Sequence, residues 1–363
     1  MSDRIRVALD ARRLQDRPLG GVGRQLRLVL PHLAERVEII LLTDARRPAP
    51  SLKLDLETHA LPVPAQAPEV AWLQWSVPQW LRTHGGGFDG VFHGTFNALP
   101  LTANQPGVVT IHDLAPLLDP VDFKPAKRMV WRGQTRLSVA RAKAVLVFNE
   151  HVAGAVREAY ATPPDKIVVA PPGIDPVFHP DRAEGVLALM GRYGIRKPYF
   201  VALGGAPRRG LEVSVGAWAL LRERFPTHQL VIVGPEKPSR RPPGFVFAGQ
   251  PDDQSWATIL AGAEALCYPT RFEGTGFPAL EAMASGVPVV CARVAPLPER
   301  LGEAAHFCPA PTPFSIAEGL AAVLGNPARG EELRRAGLAL AAAAPTWPEV
   351  AESVAKAYQK ALS

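Results

Sequence analysis

The sequence predicts an α/β protein with two doubly wound parallel-sheet domains facing across a cleft and a helical carboxy-terminal tail. Three observations predict it. The chain has 363 residues, and at roughly 100–200 residues per domain that length favours two domains. Short, continuous apolar runs alternate with longer helix-patterned segments, the pattern of sheets buried on both faces by helices. The segment Ala170-Pro-Pro-Gly-Ile-Asp-Pro-Val-Phe-His-Pro180 is dense in proline and glycine and falls near the middle, where a linker belongs.

In chain order, Ile5–Leu9, Val37–Leu42, Gly90–Phe92, Val108–Ile111, Ala144–Phe148 and Ile167–Ala170 read as buried strands. Gly23–Glu35, Glu69–His84, Ala126–Ala142 and Glu150–Tyr160 read as the helices between them. The second half repeats the scheme. Tyr199–Leu203, Gln229–Val233, Ala265–Tyr268 and Pro288–Cys291 are strand-like; Leu211–Arg224, Ser255–Ala263 and Phe277–Ser285 are helix-like. Beyond Pro313 the pattern is helical: Ser315–Leu324, Glu331–Ala344 and Pro348–Leu362. The expected organisation is a first domain over 1–170, a linker over 171–181, a second domain over 182–345, and a last helix over 346–363 that packs back on the first domain. Ligands of doubly wound sheets bind outside the carboxyl ends of the strands, which places a ligand in the cleft.

Composition narrows the class. Hydrophobic residues make up 47% and charged residues 20%, which excludes a disordered chain. No apolar run approaches the ~18 residues of a membrane-spanning helix. The amino terminus reaches charged residues before any signal-like apolar core forms, so the expectation is a cytoplasmic protein. Cys267, Cys291 and Cys308 are too scattered for a disulfide framework or a thiolate metal site and read as reduced and buried. The net charge of +6 is spread over both halves and names no partner. One segment differs: Lys124, Lys127, Arg128, Arg132, Arg136, Arg141 and Lys143 follow one another with no acidic residue between them. Lys124, Arg128, Arg132 and Arg136 share a helix face, which suits peripheral contact with an anionic membrane at its inner face or, more plainly, a solvated surface. No recognition motif accompanies them, so nucleic acid is not an expected partner.

The most informative stretch runs from Tyr268 to Val290: a strand end, a glycine loop, a helix and another strand. Gly274 and Gly276 let backbone approach a ligand, and Pro278 suits a first helical turn. The loop amides and helix N-terminus favour an anion such as phosphate. Glu273 on the loop and Glu281 on the helix are poor charge partners for phosphate but good acceptors for sugar and ribose hydroxyls. The plainer reading is a tight turn with two surface glutamates. Arg208-Arg209 sits at a helix start, where a basic pair is unfavourable unless an anion is also present. Gly20-Gly-Val-Gly23 opens a helix, but position 26 is Leu and no acidic residue stands clearly about 20 residues on, which disfavours a dinucleotide oxidoreductase. His112-Asp113 and His93 end strands, where active-site groups collect. No histidine has metal-ligand spacing, and no Asp-x-Asp pair is present.

Glu273-Gly-Thr-Gly-Phe-Pro-Ala-Leu-Glu281, with Ala282-Met-Ala-Ser-Gly-Val-Pro-Val-Val290 after it, resembles the signature of the family 4 retaining glycosyltransferases of the GT-B fold, two Rossmann-like domains. Gly20-Gly-Val-Gly-Arg24, His112-Asp113, Pro172-Gly-Ile-Asp175, Pro207-Arg-Arg-Gly210 and Trp347 resemble further family elements in the same order. The resemblance implies roles. Glu281 would bind ribose hydroxyls. Glu273, with Gly274, Thr275, Gly276 and Phe277, would hold the transferred sugar. Arg208 and Arg209 would face the diphosphate, Arg209 standing where the family more often has Lys. Gly21 and Gly23 would close over the donor, His112 would serve the transferred sugar, and His93 and Asn97 would line the acceptor side of the first domain. It implies metal-independent sugar transfer with no cofactor, from a nucleoside diphosphate sugar to a hydroxyl of a saccharide or lipid-linked acceptor. GDP-mannose is the first expected donor and a UDP-sugar the next. A non-catalytic sugar-nucleotide-binding paralogue and a glycosidase are the alternatives.

Overall fold

The structure, a computed structural model, describes residues 4–119, 122–235, 238–239 and 242–363. The first three residues of the amino terminus read above lie outside the described residues. The chain forms two compact units, one of residues up to 173 together with 345–363 and one of residues 174–344.

Among the described residues the first unit holds seven parallel strands: β1 (Arg6–Asp10), β2 (Glu38–Asp44), β3 (Glu57–Leu61), β4 (Val91–Gly94), β5 (Gly107–Ile111), β6 (Ala144–Val147) and β7 (Ile167–Val169), in spatial order β3-β2-β1-β4-β5-β6-β7. β1 pairs with β2 at Val7–Ile39 and with β4 at Val7–Val91. Alternate residues of a strand point to opposite faces. Val7 and Leu9 thus pack with Leu26, Leu30 and Leu33, while Ala8 packs with Trp72 and Leu81 on the other face. The helix Trp347–Leu362 belongs to this unit. It opens on a capping box in which Thr346 and Glu349 satisfy each other's amides. Its Trp347, Val350, Val354 and Tyr358, at helical spacing, join Leu26, Val29 and Leu30 of the helix Gly21–Ala34 in one core.

The second unit holds six described parallel strands: β8 (Tyr199–Leu203), β9 (Gln229–Val233), β10 (Phe245–Gly249), β11 (Leu266–Tyr268), β12 (Val289–Ala292) and β13 (Ala305–Cys308), in spatial order β10-β9-β8-β11-β12-β13. Tyr199, Val201 and Leu203 face one core and Phe200 and Ala202 the other. Strand order reverses between β8 and β11, so the loops leaving these two strands flank the crevice where doubly wound sheets bind ligands. Cys267, Cys291 and Cys308 are free and buried; burial pushes the Cys267 thiol up to about 12 and that of Cys308 up to about 11.

Some features differ from the sequence reading, among them a helix over Val186–Tyr193 that it did not include. The strands β3, β10 and β13 are additional, and each lies at a sheet edge. The helix expected over Glu69–His84 runs as continuous helical backbone from Glu69 to Thr83, with a π turn over Trp72–Ser76. Pro78, which has no amide to donate to the helical ladder, directly follows that turn.

Candidate active site

In the second unit, Leu203 ends β8 and the chain turns through Gly204 and Gly205 into a 3-10 turn over Pro207–Arg209. Gly210 follows at φ +73°, and a Cβ there would lie 2.5 Å from the Pro269 carbonyl oxygen. Only glycine fits that approach, which lets the loops after β8 and β11 touch. The Arg271 amide donates to the Arg208 carbonyl (2.8 Å), and the Thr270 hydroxyl donates to the same oxygen (3.3 Å). Gly234, at the end of β9, closes against Gly204, where a Cβ would meet backbone at 2.7 Å. The basic pair is therefore held on a loop braced by its two neighbours.

Glu273 is fixed at both carboxylate oxygens. The Tyr268 hydroxyl donates to Oε1 and the Gly276 amide donates to Oε2 at 3.3 Å. Tyr268 is fully buried, and its hydroxyl is held well above the usual phenol range by that burial and by the Glu273 carboxylate, against a smaller opposing effect of Arg209. It stays a proton donor at any working pH. Gly276, at φ +75°, starts the helix Phe277–Ala284, and a Cβ there would strike Leu297 at 2.7 Å. Gly274, Thr275 and Gly276 are buried, so this loop presents backbone more than side chains. Glu281 lies one turn into that helix, and its Oε2 accepts from Trp256 Nε1 at 3.3 Å. The arrangement offers two cations, a helix N-terminus and two carboxylates at one end of one sheet. It can hold an anion beside a polyol.

In the first unit, His112 follows β5. Its amide donates to Asn97 Oδ1 (2.9 Å), and its Nε2 hydrogen-bonds the Thr95 carbonyl (2.8 Å). A carbonyl only accepts, so Nε2 carries the proton and Nδ1 is the acceptor nitrogen. Burial, first, holds the imidazole below its ordinary pKa, so it is neutral near pH 7. Asn97 is buried at φ +54°, with its amide donating to the Thr110 carbonyl and its own carbonyl accepting from Thr135. It shapes the turn that presents His112. His93, at the end of β4, is held on both ring nitrogens. This side chain is 3% exposed, and its Nδ1 and Nε2 are bound to the Tyr358 and Thr110 hydroxyls (2.8 Å each). Gly23 is required by packing, since a Cβ would lie 2.2 Å from the Arg13 carbonyl oxygen, whereas Gly20 and Gly21 face open space.

Tyr268 as the anchor of Glu273 and Trp256 as the anchor of Glu281 were missed in the sequence. Also missed were Asp10-Ala-Arg12 and Asp44-Ala-Arg46, the repeated tripeptide at the ends of β1 and β2. In each, the arginine returns as a two-point ion pair to the aspartate two residues earlier, closing at 2.7 Å. The repetition itself was the available signal.

Two parallel-sheet units carrying these loops define a GT-B fold. The sucrose-phosphate synthase (tll1590) from Thermosynechococcus elongatus superposes with a TM-score of 0.78 at 20% identity over 98% of each chain. WaaG, a glycosyltransferase involved in lipopolysaccharide biosynthesis, superposes at 0.72 with 18% identity, over 98% of this chain and 99% of its own. Residues 19–178 match the family described as Glycosyltransferase Family 4, and residues 197–326 match Glycosyl transferases group 1. The chain belongs to the family 4 glycosyltransferases. An MMP alpha-(1->4)-mannosyltransferase of Mycolicibacterium hassiacum is 31% identical over 66% of this chain and 60% of its own. The O-antigen chain mannosyltransferase B of Escherichia coli is 27% identical over 60% of each. The match thus spans about 60% of the length of these relatives. Among the described residues no helix is long and apolar enough to cross a membrane.

Proposed function

We propose that the protein is a retaining glycosyltransferase that moves a sugar from a nucleoside diphosphate sugar to a hydroxyl of a saccharide or lipid-linked acceptor, with GDP-mannose the first donor to try. The observation that carries the reading is Glu273 fixed by Tyr268 and Gly276 at the switch point of the second sheet, next to the loop of Arg208 and Arg209. Mannosyl transfer rests on the names of the relatives.

In this reading Glu281 accepts from the ribose hydroxyls, and Glu273 with the amides of Gly274 to Phe277 holds the transferred sugar. Arg208 and Arg209 take up the charge that grows on the departing diphosphate. The leaving oxygen receives the acceptor's proton on the same face, so the protein supplies positioning and charge stabilisation more than proton transfer. The His112 imidazole, neutral and with Nδ1 as its acceptor nitrogen, receives a hydrogen bond from a sugar hydroxyl. A lipid-linked acceptor is compatible with the basic helix Pro125–Arg141, which would rest on anionic lipid.

The test is nucleotide release from a panel of UDP-, GDP- and ADP-sugars, with soluble and lipid-linked acceptors, in excess EDTA. The expected result is acceptor-dependent release of GDP from GDP-mannose that EDTA leaves intact. Release from a UDP-sugar instead would reassign the donor. Nucleotide binding with no transfer from any donor would overturn the catalytic reading.

A further inference from the structure

The edge strand β3 carries Glu57 and His59 two residues apart, on one side of the strand. His84, at the end of the helix Val77–Thr83, meets them there. His59 Nε2 lies 2.6 Å from Glu57 Oε1, and His84 Nε2 lies 3.5 Å from the same oxygen. The three ligand atoms are all within 4.8 Å of one another. We propose that Glu57, His59 and His84 form a binding site for a divalent transition-metal ion of the zinc class. It shares no residue with the donor site above, and it is independent of the glycosyltransferase reading.

The argument is geometric. Nitrogen and oxygen ligands about 2.0–2.1 Å from a tetrahedral zinc stand roughly 3.4 Å apart. The present spacings bracket that value, so small rotations about the side-chain bonds complete the site. Two imidazoles and one carboxylate suit zinc, nickel or copper better than magnesium or calcium, which prefer all-oxygen shells. The fourth position stays open to water, because the cluster lies on the surface. The rings are also braced. His84 stacks on Trp80 with centroids 4.3 Å apart and planes at 19°, and His59 packs against the same indole at 5.2 Å. A bound ion would tie the outer strand of the sheet to a turn of three glycines, Gly85, Gly86 and Gly87, all at positive φ. Sequence spacing did not reveal the site, because His84 reaches β3 only through the intervening helix.

The test uses the full chain, stripped with EDTA and then freed of chelator. Titration with zinc chloride, followed by calorimetry, should show one saturable equivalent and a raised Tm. The variants His59→Gln and His84→Gln should each weaken binding by about tenfold or more, and the double variant should abolish it. Glu57→Asp should retain binding where Glu57→Ala does not. Nickel chloride should quench the fluorescence of Trp80, a quench that Trp80→Phe removes while zinc heat persists. Circular dichroism shows whether each variant is folded, and all these residues are at least partly exposed. No saturable zinc heat in the wild type, or binding unchanged in the folded double variant, overturns the site and leaves an ordinary imidazole–carboxylate pair.

Discussion

Glu273 and Glu281 are held by different means, and the difference predicts different kinetics. Glu281 hangs from Trp256 on a helix, facing a part of the donor that does not react in the proposed mechanism. Glu281→Ala should therefore raise KM for the donor and weaken nucleotide diphosphate binding. Glu273 is clamped between Tyr268 and Gly276 and contacts the group that changes charge and shape. Glu273→Ala should lower kcat by about 10- to 100-fold, the cost of roughly 1.5–3 kcal/mol for a lost hydrogen bond to a charged group. Tyr268→Phe should lower kcat in the same direction by less, with nucleotide diphosphate affinity unchanged. Steady-state kinetics and calorimetry with the free nucleotide check all three; equal losses of nucleotide affinity with kcat intact would contradict this division. The two glutamates were legible because their spacing is local to one loop and one helix. Their anchors were not, since Trp256 bonds to a helix 25 residues further on and nothing in its own segment marks it. The partners of His93 were hidden for a related reason. A strand-end histidine looks the same in sequence whether it meets a ligand or the hydroxyl of a helix more than 260 residues away.

The strands inside the sheets were all readable; of the four at the rims only β7, an apolar Ile-Val-Val run, was. Tyr199–Leu203 and Gln229–Val233 coincide with β8 and β9, which lie inside the second sheet, are buried throughout and are apolar but for Gln229. Glu57–Leu61 is polar and largely exposed because an edge strand needs only one covered side, so its residues carry no continuous apolar signal. The helix Pro125–Arg141 coincides with the expected Ala126–Ala142 to within a residue at each end, and its surface is not only basic. It exposes Met129 (72%), Val130 (57%) and Leu137 (53%) among Lys127, Arg132 and Arg136. Arg128 turns aside to donate to the Pro116 carbonyl at 2.9 Å. Apolar and basic side chains together suit the boundary between lipid headgroups and acyl chains better than either alone. The expected outcome is salt-sensitive cosedimentation with anionic vesicles, each basic residue contributing about 1 kcal/mol. Reversal of Lys127, Arg132 and Arg136 to Glu should abolish it, and Met129→Ser with Leu137→Ser should weaken what remains in high salt. A wild type that stays in the supernatant at low salt would point to a soluble acceptor.

At the scale of the whole molecule, acid sensitivity follows from buried imidazoles. Burial holds His93 down to about 3, and His112 and His306 are lowered in the same direction. Unfolded histidines titrate near 6.5, so between about pH 6.5 and 3 the unfolded chain binds a proton at His93 that the folded chain does not. Stability is full above that window and falls as the pH drops through it. Urea midpoints should decrease from pH 7 to pH 5, and His93→Gln should flatten the decline; an unchanged slope in that variant would remove His93 from the account. The tie between His93 and Tyr358 has a consequence for biosynthesis. The first unit cannot close its core until the helix Trp347–Leu362 has left the ribosome, whereas the second unit is one uninterrupted stretch and ends before that helix begins. The core of the first unit thus depends on a segment that the chain reaches only after the whole of the second unit, residues 174–344, has been made.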